Sequence, residues 1–182
     1  MVLINDNSSA LKIGDMLPSF SLPATDDTTV SADKLLGIRV IVFTCNHCPY
    51  AKAVEPRLIA IAQEFTGKAS MVLISSNDAE AYPEDSFDEM KRRAEERRYP
   101  FPYCFDEDQS VAKRFGALCT PHCFVFDAAG ALQYKGRVDD NWQDETRVKD
   151  HTLRDAIAAL VEANKPKTPE ANALGCSIKW RT

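Results

Sequence analysis

Residues 38–50 read IRVIVFTCNHCPY, a β-branched apolar run that ends in two cysteines three positions apart and then a proline. Ile38 to Thr44 carries a single charge, Arg39, and no polar alternation, the pattern of a strand buried on both faces of a sheet. From Pro49 the apolar positions Ala51, Val54, Leu58, Ile61, Ala62 and Phe65 recur every three or four residues until Gly67, so a helix follows the strand directly. Met71 to Ser75 is a second buried strand. The stretch 38–75 therefore predicts a strand, a crossover helix and a parallel strand, with Ile38 to Thr44 central in the sheet.

Toward the N-terminus, Phe20 to Leu22 and Thr28 to Val30 flank a turn at Asp26 and Asp27 and predict a short hairpin, and residues 33–37 form one helical turn ending at Gly37. Toward the C-terminus, Ser86 with Glu89 is a capping-box signature for a helix over 86–97, Phe101 to Phe105 is extended, and Gln109 to Phe115 is a short helix stopped by Gly116. Cys123 to Asp127 and Ala131 to Arg137 make a hairpin around Gly130, and a closing amphipathic helix covers about 150–163. Pro166 and Pro169 cannot continue that helix. The expected organisation is one domain over 1–164 and a Pro-containing linker and C-terminal tail over 165–182. Its class is α/β, a three-layer sandwich of a mixed central sheet with helices on both faces. Sites in such sheets lie beyond the carboxyl ends of the central strands, where CNHC falls.

A chain of 182 residues, 45% apolar and 27% charged, can bury a core without disulfide staples. Its net charge of -5 argues against a general nucleic-acid or anionic-membrane binder. The basic run Lys91, Arg92, Arg93, Arg97 and Arg98 is interleaved with Glu89, Glu95 and Glu96 and reads as a solvated helix face. The first residues carry Asp6, no positive n-region and too short an apolar stretch for a secretory leader or a span, so a cytoplasmic location is expected. In that reducing compartment six cysteines imply redox chemistry, metal binding or core filling rather than structural disulfides.

Cys45 and Cys48 stand at a helix start, where side chains three apart can meet and close a disulfide ring. Unpaired amides and the partial positive charge there favour a thiolate. His47 between them, when charged, tunes the thiolate further and predicts a more oxidising couple than a site without it. The pair also reads as a zinc half-site, completed by Cys119 and Cys123, although it joins a buried strand to a long helix rather than sitting on a tight turn.

Four segments, IGDMLPSFSLPATDD (13–27), VIVFTCNHCPY (40–50), GALCTPHCFVFDAAG (116–130) and GCSIKW (175–180), together resemble the peroxiredoxin-like branch of the thioredoxin superfamily, the alkyl hydroperoxide reductase/thiol-specific antioxidant (AhpC/TSA) group, in its CxxC-bearing form. The resemblance covers nearly the whole chain. It implies a thioredoxin-like fold and gives Thr120 and Pro121 the part of the Thr and cis-Pro loop, which packs against the active disulfide and offers backbone groups to an extended substrate strand. It also exposes departures. With the peroxidatic position laid on Cys48, Cys45 stands where the family has Thr and Ile41 where it has Pro. Arg39 takes about the place of the acid that thioredoxins bury, leaving Glu55 and Asp78 as candidate proton acceptors.

The reading is a thiol-disulfide oxidoreductase acting through Cys45 and Cys48, with two alternatives: a peroxiredoxin-like thiol peroxidase in which Cys48 attacks and Cys45 resolves, and a metal-binding protein using Cys45, Cys48 and a His. Copper-handling thioredoxin folds space their cysteines CxxxC, which counts against the last. The order of attack stays open. Cys119 is an auxiliary thiol or a packed side chain, and Cys176, anchored by Ile178 and Trp180, is a candidate resolving thiol. Cys104 and Cys123 read as core fillers, and His122 as a ligand, a proton donor or a hydrogen-bonded group near the surface. No cofactor is expected: without a nucleotide-binding fingerprint, electrons come from a thioredoxin or a small thiol, and the substrates are protein or small-molecule disulfides, or peroxides.

Overall fold

A computed structural model describes residues 3–181; Met1, Val2 and Thr182, the outermost residues of the two expected segments, lie outside it. The strands are β1 (Leu3–Asp6), β2 (Ser21–Pro23), β3 (Thr29–Ser31), β4 (Ile38–Phe43), β5 (Ala69–Ser75), β6 (Tyr103–Phe105), β7 (Cys119–Thr120), β8 (His122–Phe126), β9 (Leu132–Gly136) and β10 (Ala173–Ser177). The α-helices are α1 (Pro49–Glu64), α2 (Phe87–Arg97), α3 (Ser110–Phe115) and α4 (Thr152–Val161).

The main sheet runs β6-β5-β4-β8-β9, so the IRVIVF strand is its centre. β5 lies parallel to β4 on one side, and β8 lies antiparallel on the other. Alternation along β4 distributes its side chains to two layers. Val40 and Val42 enter a core shared with Val54, Leu58 and Ile61 of α1, Met90 of α2 and Leu153 and Ile157 of α4. Ile41 and Phe43 enter the opposite core with Phe20 and Leu22 of the N-terminal arm, Val111 and Phe115 of α3, and Phe124 and Phe126 of β8. Because both layers are apolar, β4 alternates between two buried destinations, which is why its sequence shows no polar period. This is the thioredoxin-like three-layer arrangement, with helices on both faces of a mixed sheet.

Local signals act where the sequence puts them. Ser86 caps α2 by accepting from the Glu89 amide, and Gly116 ends α3 at a φ of 62° with its amide bonded to Lys113 O. Pro49 occupies the first turn of α1, where a missing N–H costs nothing, whereas Pro56 sits inside the same helix and withholds one backbone bond.

A second sheet is built from distant parts of the chain. β10 is its middle strand, antiparallel to β1 on one side and to β7 on the other, with Cys176 opposite Thr120. Residues 173–177 thus lie across the body beside the loop that carries Thr120 and Pro121. No described helix is long and apolar enough to cross a membrane.

Candidate active site

Cys45 lies two residues past the end of β4, and Cys48 is the N-cap of α1, its carbonyl accepting from the Lys52 amide at 3.0 Å. Both sulfurs face residue 120. The Cys48 thiol reaches Thr120 O at 3.0 Å, and Cys45 Sγ lies 3.4 Å from Thr120 Oγ1. The Thr120–Pro121 peptide bond is cis. Cys176 of β10 brings a third sulfur, 3.0 Å from Cys48 Sγ. Cys45, Cys48, Ala51 and Cys176 form a small buried cluster of their own, with Tyr50 against it and the Trp142 ring tilted against Tyr50 with centres 4.1 Å apart.

The thiols are not equivalent. The Cys48 pKa is lowered to about 5, first by the hydrogen bond from Cys45, against the cost of burial, and then by Cys176, Thr120 and the Ala51 amide. The same pairing with Cys48 pushes Cys45 well up, and burial and the Asp85 carboxylate add to it. Burial, together with the Cys48 contact, raises Cys176 to about 12. Of the three sulfurs, Cys48 is the one at which negative charge is favoured, and Cys45 and Cys176 are those at which it is disfavoured.

The loop is held by a fully buried carboxylate. Asp85 Oδ1 accepts from the amides of Asn46 at 2.7 Å and His47 at 3.2 Å, while Oδ2 accepts from His47 Nδ1 at 2.6 Å and Asn77 Nδ2 at 2.8 Å. Burial pushes the Asp85 carboxyl up, but the His47 and Asn77 hydrogen bonds outweigh it and hold it below the usual carboxylate range. His47 is raised in turn by Asp85 and stacks on Tyr82 with ring centres 5.2 Å apart. Asn46 is fixed from two further directions, its side chain donating to Glu84 O and accepting from the Tyr103 hydroxyl. Ligand atoms of Cys45, His47 and Asp85 lie within 4.8 Å of one another, close enough to share a cation, although His47 and Asp85 already bond each other.

The pattern of the AhpC/TSA family matches residues 13–135, about two thirds of the sequence, including β4, the CNHC loop and the Thr120–Pro121 turn. The chain belongs to the AhpC/TSA family. It is 30% identical over 106 residues to Peroxiredoxin Bcp of Escherichia coli K12, a match covering 58% of this chain and 65% of that relative's length. Among solved structures, an uncharacterized conserved protein from Geobacillus kaustophilus is 38% identical with a TM-score of 0.91, covering 100% of this chain and 97% of its own. Peroxidoxin BcpB from Mycobacterium tuberculosis, at 23% identity and TM-score 0.64 over 84% of this chain and 97% of its own, shares the fold.

Within this AhpC/TSA chain several expected roles fall elsewhere. Glu55 does not face the sulfurs: it is buried against Arg93, Arg97 and the Tyr99 hydroxyl, tying α1 to α2. Asp78 caps its own turn and lies near Arg181. The acid beside the CNHC loop is Asp85, whose local signal in the sequence is its place just before the Ser86 cap. Arg39 bonds Leu35 O, Asp127 O and Ala128 O, toward the opposite end of β4 from the cysteines. His122 is not near the surface but fully buried, with burial pushing its pKa down to about 3. Cys119 is buried in β7, its thiol directed at Pro121 O, and burial raises it to about 12. Cys104 and Cys123 lie in the two cores.

Proposed function

We propose that this AhpC/TSA protein is a thiol-disulfide oxidoreductase in which the Cys48 thiolate attacks a substrate disulfide and Cys45 resolves the mixed disulfide. One observation carries the reading: Cys48 stands at the N-cap of α1 in a buried cluster with Cys45 and with Cys176 Sγ at 3.0 Å, surroundings that lower its pKa and raise that of Cys45. A stabilised thiolate is both the reactive nucleophile and the better leaving group when the protein is re-reduced. This reverses the usual thioredoxin order, in which the first cysteine of the pair attacks. The substrates are protein or small-molecule disulfides, the electron donor is a thioredoxin or a small thiol, and the compartment is the cytoplasm, where such a dithiol is kept reduced.

Peroxide reduction is the second reading, favoured by the family and by the Bcp relative's name, and it uses the same attacker. Against it, Ile41 is a fully buried core residue of β4, and the Thr expected three residues before Cys48 is replaced by another thiol. Single-turnover assays of disulfide reduction and peroxide consumption, on wild type and the Cys45→Ser and Cys48→Ser variants, test the proposal. The expected result is disulfide reduction in wild type, release of at least the first thiol equivalent in Cys45→Ser, and no reaction in Cys48→Ser. Stoichiometric peroxide consumption without disulfide reduction overturns it.

A further inference from the structure

β10 occupies the place in which a thioredoxin-like fold would receive a substrate strand. It runs antiparallel along Cys119 and Thr120, with Cys176 opposite Thr120 and Ser177 opposite Cys119. The approach is close at its centre: a Cβ on Gly175 would stand 2.0 Å from Thr120 O, so only glycine lets the two backbones meet. Beyond the strand the segment stays fastened. The Ile178 amide bonds Leu118 O, the Lys179 amide bonds Asn77 Oδ1, and the Arg181 amide bonds Gln109 Oε1. Cys176 is thereby presented to Cys48 as a residue of a docked peptide would be.

We infer that residues 173–181 are an internal substrate strand: they cover the Thr120 edge against extended polypeptides, and Cys176 is the thiol through which this strand exchanges with Cys48. The inference rests on Cys48 being the attacking thiol. The Cys48 thiolate attacks a substrate disulfide RSSR′, forming a Cys48–SR bond and releasing R′S⁻, which takes up a proton. Cys176 gives up its proton and attacks Cys48 Sγ; the Cys48–SR bond breaks, RS⁻ leaves and is protonated, and a Cys48–Cys176 disulfide remains. Two electrons pass from the two protein thiols to the substrate, and a thiol donor restores them. Cys176 therefore competes with Cys45 for the same mixed disulfide. While β10 is in place, substrates small enough to enter without pairing along Thr120 have the advantage.

The test uses the full chain, reduced and then treated with glutathione disulfide, followed by peptide mapping without reductant. In Cys45→Ser we expect both glutathione equivalents to be released and a Cys48–Cys176 cross-link to be recovered. In Cys45→Ser/Cys176→Ser the reaction should halt at a glutathione adduct on Cys48. If Cys45→Ser halts at the adduct with Cys176 free, the exchange is overturned while the Cys45–Cys48 reading stands; if Cys48 forms no adduct in any variant, that reading falls too. Gly175→Ala, which forces β10 away from β7, tests the covering role. The rate of insulin reduction relative to glutathione disulfide reduction is expected to rise about threefold or more, as the fraction of chains with an open edge grows. An unchanged ratio in a folded Gly175→Ala protein shows that the strand does not guard the edge. Should that variant not fold, the wild type in urea below its unfolding transition decides: an insulin-to-glutathione-disulfide rate ratio that rises as the β10 amides lose hydrogen-exchange protection supports covering, and a ratio that stays flat as they open overturns it.

Discussion

Cys48 and Cys45 differ because a sulfur anion shared between two thiols settles where the most donors converge. Cys45, Cys176, Thr120 and the Ala51 amide all favour charge on Cys48, and the Asp85 carboxylate disfavours it on Cys45. The alkylation rate of Cys48 should therefore follow a titration near pH 5 in wild type, read by mass spectrometry after short pulses of iodoacetamide. In Cys45→Ala, which removes the largest stabilising contact, the midpoint should rise. A midpoint near the ordinary cysteine value in wild type would remove the basis for ranking the thiols. Asp85→Asn makes a second prediction at this scale. The amide retains an oxygen for one pair of donors but loses the charge facing His47, so the His47 pKa should fall toward its ordinary value, followed by NMR. Weakening a buried charge-assisted pair should also cost about 2–3 kcal/mol in urea denaturation. The cysteine pair stands out in the sequence through its spacing together with its place between a buried apolar run and an amphipathic helix. Asp85 does not: its partners are backbone amides and side chains from three segments, and no local pattern announces a carboxylate that folds back onto a loop about forty residues earlier.

At the scale of elements, burial period decided most of what could be read. β4, α1 and β5 fall within two residues of their expected bounds because continuous apolar runs and a three-four period are strong signals. β10 was invisible for the opposite reason. ALGCS has neither a long apolar run nor alternation, and it becomes a strand only because β1 and β7 bond it on both sides. The helix that carries Cys48 is fixed through its buried stripe, so that stripe sets the position of the thiolate as well as stability. Leu58 is 1% exposed in the core beneath β4. Leu58→Ala should cost about 3 kcal/mol by chemical denaturation, the usual cost of emptying a packed leucine site. If α1 is held as the packing indicates, Cys48 should also alkylate more slowly at pH 5 in this variant, since a loosened helix start presents its amide to the sulfur less well. A loss below about 1 kcal/mol would mean that the site collapses around the smaller side chain and that the stripe does not anchor the helix.

Across the whole molecule, two histidines give the fold opposing responses to pH. His47 has a raised pKa from its Asp85 pair, so its contribution is fully present below the unfolded value of 6.5 and is lost as pH rises through its folded pKa. His122 is the reverse. It is fully buried, accepts from the Leu118 amide through Nδ1, and has no partner for Nε2 among the described residues. With its pKa pushed down to about 3 by burial and by Lys135, the native state holds it neutral while the unfolded chain protonates it at 6.5. Stability must then fall as pH drops below about 6.5, by roughly 1.4 kcal/mol per pH unit for this one group, and level off only near its folded value. Between pH 7.5 and pH 5 the loss due to His122 is about 2 kcal/mol. Urea midpoints across that range should show it in wild type, and His122→Phe, which keeps an aromatic ring beside Phe124 and removes the titration, should lose that part of the slope even if its stability at pH 7.5 is lower. A slope unchanged by the substitution would place the acid sensitivity in other groups, the buried Asp85 carboxylate first among them.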